Sequence, residues 1–107
     1  MELVIESYRL CRQFPKSELF GLVAQTQRAA VSVPANIAEG HGREHLGDYL
    51  RHLSIANGSL MELETHLLIA CRLGYLTEAE AKPAFALTAE VGKMLTGLTR
   101  SLKPTDT

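Results

Sequence analysis

Two cysteines, Cys11 and Cys71, are all that 107 residues provide, and each falls where a helix would point apolar side chains. They read as core thiols of a reducing cytosol rather than as a disulfide. An excess of either charge is also missing: eleven Lys plus Arg stand against twelve Asp plus Glu, a formal net charge of -1. With a sequence pI near 6.4, no basic footprint recommends nucleic acid as the default partner. The longest uncharged stretch is about half the roughly 20 residues that a membrane span needs. The segment MELVIESYRL sets Glu2, Glu6 and Arg9 among its apolar residues, unlike the basic start and apolar run of a signal peptide. A cytoplasmic protein without a membrane partner is expected.

The usual signatures of site chemistry are missing as well. A dinuclear carboxylate centre in a helical bundle needs Glu-x-x-His, but Glu62 and Glu64 are followed at that spacing by Thr65 and Leu67. His45, His52 and His66 share a helical stripe, yet seven residues span about 10 Å of helix, too far for two imidazoles to share one ion. GHGRE lacks the spacing and the Lys-Ser/Thr of a phosphate loop. Ser32 has no identifiable base, and neither cysteine sits in a nucleophile signature. Lys93, Arg100 and Lys103 gather near the end of the last helix, where the helix dipole accounts for them. No catalytic residue, metal ligand or cofactor is assigned.

What the chain does have is helical periodicity and a 46% hydrophobic content, which suits one globular domain. Strand-like alternation is absent. Val4, Tyr8, Cys11 and Leu3, Leu10, Phe14 repeat at helical spacing until Pro15 stops the first helix. Ser17 is placed to cap the second, whose core face reads Leu19, Leu22, Val23, Thr26, Ala30, Val33 and Ile37, with Gly40 and Gly42 ending it. From about His45 to Leu73, Leu46, Leu53, Leu60 and Leu67 recur every seven residues beside Tyr49, Ala56, Leu63 and Ala70. Gly74 suits a left-handed C-cap, and Thr77 with Glu80 a capping box. The last helix carries a seam of Ala84, Leu87, Val91, Met94, Leu98 and Leu102. Short loops make successive helices antiparallel neighbours, so the sequence predicts an all-α, up-down-up-down four-helix bundle over residues 1–103 and a polar tail at 104–107.

The second helix has one face more than a bundle core requires. At 100 degrees per residue, Gln25, Arg28, Ser32, Asn36, Glu39 and Arg43 fall in a sector about 80 degrees wide, forming one polar line. The core stripe lies to one side. On the other lie Phe20, Ala24, Gln27, Val31, Ala35 and Ala38, small and mostly apolar, which together suit close approach of another subunit. These alanines would also serve a solvated surface as good helix formers, but Phe20 and Val31 weigh against that. Pro34 predicts a kink wherever the helix continues through it. Two interpretations of the polar line stay open: a solvated face with weak pairs among Arg28, Glu39 and Arg43, or a partner-facing hydrogen-bond network centred on Asn36 and Glu39.

SVPANIAEGHGR, then YLRHLSIANGSLMELETHLLIACRLGYL and EVGKMLTGLTRSL, together resemble the bacterial four-helix-bundle family of 23S rRNA intervening-sequence proteins, over about Leu3 to Leu102. The resemblance implies a small cytoplasmic bundle without enzyme activity that assembles as a ring-like homo-oligomer, a homopentamer above all. A related accessory protein of diversity-generating retroelements implies a second role, with RNA or a reverse transcriptase as partner. The matching motif positions are Arg28, Ser32, Asn36, Glu39, Gly40, Arg43, Arg51, Glu62 and Glu64. Two departures stand out. The chain lacks the basic balance of the retroelement protein, and it begins inside what resembles the family's first helix, which implies a shortened chain or a misassigned start.

Overall fold

Pro15 holds an extended backbone (φ -63, ψ 151), and the first helix, α1 (Glu2–Cys11), ends ahead of it. Because the proline ring disfavours helical geometry at the residue before it, the chain leaves α1 and re-enters helix in steps. A 3-10 turn at Lys16–Glu18 leads into a π turn at Leu19–Val23, and only then does α2 (Ala24–His41) begin. The helices α3 (Leu46–Arg72) and α4 (Glu78–Leu102) complete a computed structural model that describes residues 1–103. The tail expected at Pro104–Thr107 lies outside the described residues.

The entry to α2 corrects the sequence expectation twice. Ser17 does not cap it; the Glu18 carboxylate accepts from the backbone N–H of Leu22 at 3.3 Å instead. Leu19, expected in the core, is 54% exposed. A π turn holds an extra residue per turn, so the register upstream of it is rotated away from the core stripe that Leu22, Val23, Thr26, Ala30 and Val33 occupy. The helix continues through Pro34, and the backbone departs from helical dihedrals at Gly21 (φ -105, ψ -106).

At the other turn the sequence signals hold. Gly74 has φ +79, the amide of Tyr75 donates to the Ala70 carbonyl at 2.9 Å, and that of Gly74 to Cys71 at 3.1 Å. These two bonds satisfy carbonyls that the end of α3 would otherwise leave bare. Thr77 Oγ1 accepts from the Glu80 amide at 3.1 Å while the Glu80 carboxylate accepts from the Thr77 amide at 2.9 Å, closing a capping box on α4. Tyr75 then ties this turn to the start of α2: its hydroxyl donates to Glu18 at 2.8 Å, and its ring packs on Phe14 with centroids 5.7 Å apart.

α2 and α3 share the most extensive contact; α1 borders α2 and α4, and α3 borders α2 and α4. The bundle therefore runs α1, α2, α3, α4 around its axis, in the antiparallel order that short links dictate. Leu10, Leu53, Leu63, Leu67 and Leu95 are fully enclosed, each burial stabilising by about 1.5–3 kcal/mol relative to exposure. Burial pushes the Cys11 thiol up to about 11, in keeping with a core thiol. The seven-residue seam of α3 is buried except at Leu46, which is exposed, and Tyr49, which is half-buried. On α4 the buried line is Ala81, Ala84, Thr88 and Leu95, while Met94, expected in the seam, is 57% exposed. At 1.5 Å per residue α1 is about 15 Å long against about 37 Å for α4, so the α1-facing flank of α4 is covered over only part of its length. No helix is long and apolar enough to cross a membrane among the described residues.

Candidate functional site

The polar line of α2 does not face solvent along its whole length. Its middle is turned onto α3, where the apolar sector of that helix ends and His52, Ser59 and His66 begin. Asn36 Nδ2 donates to the Ser32 carbonyl and to Ser32 Oγ, both at 2.9 Å. Because Ser32 Oγ accepts there, its own hydrogen is free for Ser59 Oγ at 2.7 Å, across the helix boundary. The Asn36 carbonyl oxygen faces His52 Nδ1 at 3.1 Å. An amide oxygen only accepts, so this contact places the imidazole proton on Nδ1; Nε2 is buried with no hydrogen-bond partner.

Gly40, one turn further along α2, shows why the helices come this close. A Cβ there would lie 2.7 Å from His52 Cβ and 3.0 Å from Tyr49 Cδ1. The Pro-Ala-Asn-Ile-Ala-Glu-Gly stretch therefore combines a hydrogen-bond clamp at Asn36 with a bare backbone at Gly40 that lets α3 sit against it. At the last residue of α2, His41 meets Tyr49 edge-on with centroids 5.9 Å apart.

The remaining motif residues divide. Glu39 pairs with Arg43 on the exposed surface one turn apart, a contact worth little in water. Arg28 and Glu62 line one cleft of about 480 Å³ with Gln25, Ser32, Ser59 and His66, yet they form no ion pair. His66 Nδ1 beside it is buried without a partner. Arg51 and Glu64 are exposed and are not brought to this seam. On the outer face, Phe20 is 92% exposed and Val31, Ala35 and Ala38 are exposed, while Ala24 and Gln27 are half-buried.

Sequence reasoning missed His52 and Ser59 as partners of the polar line. The helical stripe that His52 shares with His45 and His66 is the one signal the sequence offers; nothing in the spacing pairs it with Asn36. No group of three or more His, Cys, Asp or Glu side chains is arranged to hold a metal ion among the described residues.

An all-α antiparallel four-helix bundle whose signature stretch welds two of its helices defines a small helical-bundle protein. Within that class the chain belongs to the 23S rRNA-intervening sequence protein family, whose model matches residues 1–97. That span takes in all of α1, α2 and α3 and most of α4. No curated protein matches the chain.

Proposed function

We propose that this protein is a non-enzymatic cytoplasmic scaffold that works by self-association, using the outer face of α1 and α2. The observation that carries the proposal is the degree of apolar exposure there: Phe20 is 92% and Ile5 68% exposed, and Val31 and Tyr8 are exposed as well. Contiguous apolar surface on a folded chain marks a contact site more often than it marks solvent. The motif residues Asn36, Ser32 and Gly40 support the same view, because their polar groups and close packing are used within the chain. A homopentamer is the order that the family resemblance implies.

Light scattering tests this directly, with a closed oligomer expected and a strict monomer at micromolar concentration overturning it. Ala35→Glu buries a charge in the proposed contact and lowers the mass while far-UV helicity stays intact. The competing role, an accessory protein for RNA or a reverse transcriptase, rests on Arg28, exposed and without an ion pair among the described residues. A chain of net charge -1 releases few phosphate counterions, so binding to arbitrary RNA weaker than the roughly 10⁻⁴ to 10⁻⁶ M of non-specific binders is expected. Submicromolar, steeply salt-dependent binding abolished by Arg28→Ala with Arg43→Ala, in an intact oligomer, favours the nucleic-acid role instead.

A further inference from the structure

On the side of the bundle opposite the α1–α2 face, α3 begins where α4 ends, and a cleft of about 350 Å³ opens between them. Leu53 and Leu95, 1% and 2% exposed, form its floor. Its walls carry Ser54 and Asn57 from α3 and Thr96, Thr99, Arg100 and Lys103 from α4. Among the described residues no carboxylate lines it, although the chain as a whole has one more acidic than basic side chain. Neither Arg100 nor Lys103 is in an ion pair among those residues. The positive end of α3 lies beside the negative end of α4, so the two helix dipoles offset each other here and the side-chain cations set the local field.

The hydroxyls of the cleft are set apart from the others on these helices. A serine or threonine within a helix commonly returns its hydroxyl hydrogen to a carbonyl about one turn back. Thr65, Thr88 and Ser101 do so, at 3.0, 2.8 and 2.8 Å. Ser54, Thr96 and Thr99 make no hydrogen bond within the chain among the described residues, and the Asn57 amide has only a 3.9 Å contact with Met61 Sδ. Three free hydroxyls, one free amide and two cations therefore share one small concavity.

We infer that this cleft binds a small phosphomonoester, the phosphate held by Arg100 and Lys103 and the body of the molecule resting on the leucine floor. A guanidinium grips two phosphate oxygens at once, an ammonium adds a point charge, and the hydroxyls donate to the oxygens that remain. The volume is at the small end of the roughly 300–1,000 Å³ typical of ligand pockets, which suits one phosphate with a compact body rather than a run of nucleotides. Binding here does not require self-association, because the cleft and the α1–α2 face lie on opposite sides of the bundle.

Phenyl phosphate is the probe, titrated into the full chain with amide shifts read by NMR at constant ionic strength. Saturable shifts confined to the start of α3 and the end of α4 are expected, with a Kd of about 1 mM or tighter. Arg100→Gln and Lys103→Gln should each weaken binding about tenfold, and Thr99→Val about 2- to 10-fold, with far-UV helicity unchanged. Thr96→Val takes the place of Thr99→Val should the latter lose helicity. Lys82→Gln removes the same charge at the far end of α4 and should leave binding as it was. Shifts absent from these two helices, an equal response to sulfate, or equal weakening by Lys82→Gln would each overturn the inference. Tighter, steeply salt-dependent binding of single-stranded RNA at the same residues would overturn it too, by making the cleft part of a nucleic-acid surface.

Discussion

Replacing Gly40 with alanine is the sharpest probe of the α2–α3 weld, because two opposing effects of known size meet at one carbon. Gly→Ala inside a helix ordinarily stabilises by about 0.5–1 kcal/mol, and less in a last turn such as this one. Against it, the new Cβ would stand 2.7 Å from His52 Cβ, where ordinary contact begins at 3.4 Å. Both carbons are anchored to backbone, so neither can swing aside and α2 must move off α3. Overpacking of this kind costs about 1–3 kcal/mol. The same movement stretches the Asn36–His52 hydrogen bond, already 3.1 Å long, and strips a buried group of its partner. The net expectation is a loss of about 1–3 kcal/mol in urea denaturation followed by circular dichroism at fixed protein concentration. Gly97→Ala is the internal control: nothing lies within 4 Å of its Cβ, and a gain of up to about 1 kcal/mol is expected. Equal stability of the two variants would refute the close-approach argument.

Other perturbations separate the clamp from the core. Asn36→Ala and His52→Ala, combined in a double-mutant cycle, are expected to couple by about 0.5–3 kcal/mol, and additivity would mean the hydrogen bond contributes nothing. Leu53→Ala and Leu60→Ala each empty a buried site and are expected to cost about 2–5 kcal/mol; losses under about 1 kcal/mol in both would mean loose packing there. The Glu80 carboxyl is held below its usual 4.5, chiefly by the Thr77 backbone amide and then by the Thr77 hydroxyl. A depressed folded-state pKa gives stability that is present above pH 4.5 and lost as pH falls through the folded value, so Glu80→Gln should flatten the acid limb of a pH–stability profile. An unchanged acid limb would show that the capping box does not titrate with folding.

Most of the scaffold was legible because it rests on local rules. Gly74, the Thr77–Glu80 box and the seven-residue spacing of Leu53, Leu60 and Leu67 each announce their geometry within a few residues of themselves. Leu19 and Met94 were not legible for a common reason: periodicity tells which side chains share a face, not whether a neighbouring helix reaches them. Leu19 is turned out by the π turn, and Met94 sits on a flank that short α1 covers only in part. The polar line of α2 shows the same limit. Its angular position was right, but whether Asn36 faced water, another subunit or His52 depended on the rotation of α3 about its own axis, which no spacing in α2 encodes.

The brevity of α1 also sets an order in which the bundle loosens. A ten-residue helix is marginal without tertiary support, whereas α2 and α3 are joined by four residues and share the broadest contact in the chain. Under native conditions the amides of Leu3–Cys11 should exchange with solvent through local detachment, and those of the α2–α3 hairpin only through global opening. Ile5 and Tyr8, which detach with α1, belong to the face proposed to receive a neighbouring copy. Association would then protect α1 selectively, and dilution below the assembly threshold would accelerate deuterium uptake in α1 while leaving α3 unchanged. The edge of the monomer and the seam of the assembly would share one stability.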